Sequence, residues 1–231
     1  MKKFSFIFFI SLSILSSAFT QDSNPLLEKV RDKLNRVNNY EADAVMTTDV
    51  SFLKVPKANV KVYFKAPAKL KIKNEKGISF VPKGAVGITL NNIISGNDFT
   101  VIDAGSTTVN SKPVKILKLL PTDEANNIIL SSIYIDEKNA VIVKSQTTTR
   151  DNGTYTLDLK YGSYTAYGLP DDVIFTFNTK DYKMPKGVTF DYDDASTRKS
   201  ATTKNADNKG KIEIRYSLYK INKGVSDEVF K

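Results

Sequence analysis

Asp191, Asp193 and Asp194 are the densest acidic group in the chain, and carboxylates this close together are what a hard cation such as calcium takes as ligands. Their spacing lacks the loop glycine and the distal glutamate of a calcium-binding loop. A solvated turn accounts for them, and no metal is expected. The chain has no histidine, cysteine or tryptophan, which removes the commonest general base, the commonest metal ligand and the thiol nucleophile. Neither a Gly-x-Ser-x-Gly elbow nor a phosphate-cradling glycine loop occurs. Paired carboxylates could hydrolyse a glycoside, but nothing marks a pair, and the clearest alternating strands turn their acids outward. No catalytic residue and no cofactor is expected. Asn152-Gly153-Thr154 matches a glycosylation sequon that a turn explains fully. The abundant material is apolar: 11 Tyr and 13 Phe sit mostly on alternating segments. An apolar lining with few polar groups suits a lipid.

The elements that must hold these side chains are legible as a helix followed by strands. Asn24 is placed to cap and Pro25 to fill the first turn of a helix. Leu26, Leu27, Val30, Leu34 and Val37 recur at helical spacing, opposite Glu28, Arg31, Asp32 and Lys33. From Tyr40 the period becomes two. Ala42, Ala44, Met46, Thr48, Val50 and Phe52 share one face, with Val45 the exception on the other. Val60, Val62 and Phe64, then Leu70 and Ile72, continue the pattern. Residues 78–96 break it, and read as a flap carrying Ile88, Leu90, Ile93 and Ile94. Further strands are expected at Phe99–Ile102, Val114–Leu120, Ile133–Asp136, Val141–Thr148, Tyr155–Tyr161 and Val173–Phe177. In the last strand Ile212, Ile214, Tyr216 and Leu218 form the inner face. Asn152-Gly153 signals a tight hairpin, and residues 180–210 read as a long polar excursion or mobile segment. Without crossover helices the sheet must be antiparallel, and its one greasy face must curl on itself or be covered.

Lys2 and Lys3, the apolar run Phe4–Leu15 and the small residues Ala18 and Thr20 follow the secretory order. Residues 1–20 are expected to be a signal peptide cut near Thr20/Gln21, and 21–231 one domain. The apolar run is too short for a comfortable membrane span, and without cysteine there is no residue to carry a lipid anchor. The net charge of +9 resides largely on lysines that alternate along strands, such as Lys69, Lys71 and Lys73. These form a solvated face, so nucleic acid is not an expected partner; weak attraction to anionic headgroups is.

The segment Val62-Tyr63-Phe64-Lys65-Ala66-Pro67-Ala68-Lys69-Leu70-Lys71-Ile72 resembles the outer-membrane lipoprotein carrier (LolA-like) family. So do Ser79–Gly84, Ile133–Asp136, Tyr161-Gly162 to Leu169-Pro170, and the ending Ile214–Gly224. The resemblance implies an incomplete antiparallel β-barrel, mainly β with an N-terminal helix and short lid helices over an apolar cavity. It also implies a monomeric periplasmic carrier that takes acylated lipoproteins from an inner-membrane ABC transporter to an outer-membrane acceptor. Relatives of the fold bind other lipids or sense envelope stress. One departure stands out. The best-known carriers latch their lid with an arginine on an early strand, whereas the arginines here are Arg31, Arg36, Arg150, Arg198 and Arg215. The latch does not carry over. In this reading Met46, Val50, Phe52, Val60, Val62, Phe64, Leu70 and Ile72 line the cavity, and Ile88, Leu90, Ile93 and Ile94 gate it. A general lipid-binding or stress-sensing module is the alternative, and a carboxylate-dependent hydrolase the more distant one.

Overall fold

A computed structural model describes residues 24–50, 53–54, 57–67, 69–74, 99–179 and 209–230. Helix α1 spans Pro25–Asn35. Its start follows from the cap: the Asn24 side chain accepts from the N–H groups of Leu26 (3.0 Å) and Leu27 (3.3 Å), two donors that no helical carbonyl can reach. Glu28 in the first turn and Lys33 in the last suit the helix dipole. Leu27, Val30 and Leu34 form the buried stripe. Val37 lies beyond the helix and is buried in the bend that leads into the sheet.

The strands are β1 (Asn39–Val50), β2 (Leu53–Lys54), β3 (Ala58–Lys65), β4 (Lys69–Asn74), β5 (Phe99–Val109), β6 (Lys112–Pro121), β7 (Ile128–Asp136), β8 (Val141–Thr149), β9 (Gly153–Lys160), β10 (Asp172–Asn178) and β11 (Lys209–Ile221). They form one sheet in the order β4-β3-β1-β11-β10-β9-β8-β7-β6-β5, with the short β2 paired to β1. Every neighbouring pair is antiparallel. Among the described residues the sheet is curved and does not close: β4 and β5 are its two ends. Short 3-10 turns at Thr165–Tyr167 and Asp227–Phe230 complete the described elements.

The chain folds largely as its alternation dictates, and the differences have physical causes. Strand β5 runs on past Ile102 to Val109, although Asp103–Thr108 are exposed. A segment with no apolar face shows no period, yet it still pairs. Its link to β6 is a two-residue turn in which Asn110 and Ser111 both have positive φ (49° and 63°), the geometry that matches strand twist. At the Asn152-Gly153 hairpin only Gly153 has positive φ (65°). This loop is therefore longer than the tight turn expected, with Thr149 paired to Gly153 across it.

In β11 the pairing with β1 slips between Asp43 and Ala44, so that Asp43 faces Leu218 and Ala44 faces Tyr216. The extra residue, Ser217, donates its hydroxyl to the Asp43 carbonyl (3.1 Å). The bulge turns Leu218 outward, where it is 45% exposed, and brings Tyr219 inward. The expected inner position of Leu218 is thus corrected: Tyr216 and Tyr219 share the inner face, and their rings stack at 5.0 Å.

Candidate functional site

The inner face is built of rows that cross the strands. At one end Tyr40, Phe64 and Leu70 are successive cross-strand partners on β1, β3 and β4, and Ala42, Val62 and Ile72 form the next row. Ala44 and Val60 begin a third, and Met46 and Val50 continue the same face along β1. The period of two puts all of them on one side. Met46, Val50, Val60, Val62 and Phe64 are buried, whereas Leu70 and Ile72, on the end strand, are half-buried. Seven of the eight residues expected to line a cavity are therefore brought together. Phe52 and the gating residues Ile88, Leu90, Ile93 and Ile94 lie outside the described residues, as do Asp191, Asp193 and Asp194.

Charges keep to the other face. Lys61 donates to Asp43 (2.8 Å) and Glu41 (3.3 Å), and Lys220 also reaches Glu41 (3.2 Å). The hydrogen bonds to Asp43 and then Glu41 raise the Lys61 pKa. Such half-exposed pairs add little stability; they keep the outer side of β1 and β3 wet. Among the described residues no group of three or more His, Cys, Asp or Glu side chains converges as a metal site would need.

An aromatic cluster joins the two halves of the face. Tyr40 stacks on Phe64 (5.3 Å) and meets Tyr219 edge-on (5.2 Å), and Tyr164 meets Tyr219 at 4.8 Å. The Tyr219 hydroxyl donates to the Pro170 carbonyl (2.7 Å), and the Tyr161 hydroxyl to that of Ile142 (2.8 Å). Burial pushes the phenols of Tyr40, Tyr161, Tyr216 and Tyr219 well up, so they stay neutral.

Beyond β11 two further rows floor the sheet. Leu117, Ile133, Ser145, Leu157, Phe175, Ile212 and Thr48 are consecutive partners from β6 to β1. Leu119, Ser131, Thr147, Tyr155, Phe177 and Gly210 form the parallel row. Neither carries a charged side chain. Thr48 falls on the inner face as its phase on β1 predicts, whereas the buried hydroxyls of Ser131, Ser145 and Thr147 escape the alternation, because Ser and Thr commonly read as outward positions. The one sequence signal is Ile133 and Ile135 falling in phase with Ser131.

Helix α1 lies over one end of this floor. Val30, Lys33 and Leu34 face Ala140, Val141, Ile142, Tyr161 and Gly168 across a narrow crevice. The Lys33 ammonium donates to the Asn139 carbonyl in the β7–β8 loop. That loop is held by Asp136, whose carboxylate accepts from the Asn139 backbone (3.1 Å) and side-chain amide (2.7 Å). Burial works to raise the Asp136 pKa, but these bonds hold it below the usual range. The crevice is closed too tightly to admit water, so here the helix is packed down.

The geometry is therefore an open antiparallel sheet, greasy on its inner side and capped at one end by an N-terminal helix. A domain named as an outer membrane lipoprotein-sorting protein from Vibrio parahaemolyticus superposes with a TM-score of 0.54 at 10% identity, covering 88% of this chain and 95% of that one. A LolA superfamily protein from Nitrosomonas europaea gives 0.52 at 9% identity, over 89% of this chain and 96% of that one. This is the fold of the LolA superfamily. A DUF1329 family protein from Desulfovibrio piger also superposes on this chain, with a TM-score of 0.53 at 12% identity over 89% and 95% of the two chains. No family model and no curated protein matches the sequence. The likeness to the LolA superfamily thus resides in architecture. Among the described residues no helix is long and apolar enough to cross a membrane.

Proposed function

We propose that the chain is an exported, periplasmic carrier that takes the acyl chains of lipoproteins into the cleft of its open sheet and moves them towards the outer membrane. The observation that carries this reading is the uninterrupted apolar inner face of β4, β3 and β1, on a sheet that stops short of closing. An acyl chain laid along this face, which is open at β4 and β5, would bury its methylenes against these side chains. Each acyl methylene buried there contributes about 0.8 kcal/mol. A dozen contribute roughly 10 kcal/mol before ordering costs, enough to hold a lipid in water and still release it to an acceptor with a similar groove. An inner-membrane ABC transporter as donor and an outer-membrane acceptor complete the route. Charge-free inner rows favour binding over catalysis.

A second reading on the same fold is a general lipid-binding or envelope-stress module. It is favoured by the inner faces of β1, β3 and β4, which offer no arginine to latch a lid in the carrier manner.

Lipid extraction and mass spectrometry of natively purified protein, together with capture of acylated proteins, test both. Acylated proteins support carriage, and free lipids alone support the second reading. Leu70 and Ile72, half-buried on an end strand, allow a test that spares the core: Ile72→Glu should fold and lose most binding of a fluorescent fatty acid. Undiminished binding by the folded variant would remove β4 from the site.

A further inference from the structure

The floor of the sheet is not uniformly greasy. Ser131 on β7 lies directly opposite Thr147 on β8, and their hydroxyl oxygens are 2.8 Å apart. Ser145 lies two residues before Thr147, hence on the same inner face. All three side chains are fully buried. The Ser145 hydroxyl has no hydrogen-bond partner among the described residues. Leu117, Leu119, Ile133, Tyr155 and Leu157 surround the group in the two rows.

Burying a hydroxyl without a partner costs about 1–3 kcal/mol, and an alanine or valine would avoid the cost. The proton count says what would repay it. The Ser131–Thr147 pair shares one proton and leaves its other hydroxyl proton unspent. Ser145 adds a second. These donors lie two residues apart on one face, and one carbonyl oxygen, with two lone pairs, can accept from two donors. An ionised carboxylate fits badly, because neither row holds a positive charge and an unpaired buried charge is far more costly than a buried dipole.

We infer that the hydroxyl patch of Ser131, Ser145 and Thr147 receives the ester or amide carbonyl of an acylated amphiphile. The inference rests on the lipid-binding reading above and specifies its ligand: an acyl derivative, held by its linkage as well as its chain, in preference to a hydrocarbon or a free fatty acid.

Binding of monopalmitin, hexadecane and palmitate at neutral pH, measured with wild type and Ser145→Ala, tests it. The wild type should bind the ester about tenfold more tightly than the matched alkane or the anion, the worth of one or two buried hydrogen bonds. Ser145→Ala should erase most of that preference while leaving the alkane affinity unchanged. The unliganded variant should melt at the same temperature or higher, because it no longer buries an unpaired hydroxyl. Carbon-13-labelled monopalmitin should show its carbonyl stretch at lower frequency on wild type than on the variant. Equal binding of ester and alkane overturns the inference and leaves lipid binding intact. A Ser145→Ala protein that melts lower with its ester preference unchanged also overturns it, assigning the hydroxyls to a structural water. Failure of all the probes to bind would remove the lipid reading and the inference together.

Discussion

The ring of Phe177 lies across Gly210, its partner on the neighbouring strand. A Cβ at residue 210 would come within 2.4 Å of the Phe177 Cζ and 2.8 Å of both Cε atoms. The ring has little freedom to retreat, because it stacks on Phe175 at 5.1 Å. Gly210→Ala should therefore destabilise the fold by about 1–3 kcal/mol, the usual range for overpacking. Adding Phe177→Leu should recover part of the loss. Denaturant midpoints of both variants measure it, and a Gly210→Ala protein as stable as wild type would refute the close approach.

Tyr219 ties the aromatic cluster to the loop before β10. Its hydroxyl donates to the Pro170 carbonyl in a buried bond. Tyr219→Phe keeps the ring stack and leaves that carbonyl unpaired, so urea denaturation should show a loss of about 1–2 kcal/mol.

Lys33 connects helix α1 to the β7–β8 loop through the Asn139 carbonyl. Lys33→Met keeps the apolar stem and removes the donor. Amide exchange should then quicken in residues 25–35 while β7 and β8 keep their protection. Unchanged exchange in the helix would show that Val30 and Leu34 hold it without help.

Asp227 bridges Lys65 on β3 and Lys69 on β4, at 2.8 and 2.9 Å. These hydrogen bonds, to Lys65 first and then Lys69, lower its pKa from the ordinary 3.8 to about 2. A depressed carboxylate pKa stabilises the folded form above the ordinary value, and that contribution is lost as pH falls through the folded one. The segment 227–230 should therefore stay docked on β3 and β4 at pH 4 and loosen as pH approaches 2. Asp227→Asn should remove that step. Amide exchange of residues 227–230 across this window measures both.

Much of the architecture was legible because burial imposes a period. Asn24 with Pro25 marked the helix start, and the alternation of Val60, Val62 and Phe64 marked β3. The candidate lining on β1, β3 and β4 followed from the same phase. Three features escaped for physical reasons. Asp103–Val109 pairs through its backbone while its side chains are mostly exposed, so there was no pattern to read. The phase of β11 changes at Ser217, and an inserted residue is invisible to a fixed period, which left Leu218 on the wrong side. Ser131, Ser145 and Thr147 point inward against their polarity, and a reading based on polarity assigns them to water.

The pairing of β1 with β11 has a consequence for biogenesis. The first long strand lies inside the sheet, third from its β4 end, and one of its two neighbours is β11, the last of the described strands in chain order. A polypeptide emerging amino-end first can zip β1 to β3 at once, but the opposite margin of β1 stays bare until residues 209–221 appear. Such distant closure is slow and leaves sticky margins in the meantime. A chain threaded through a translocon would thus remain pliable until residues 209–221 are through.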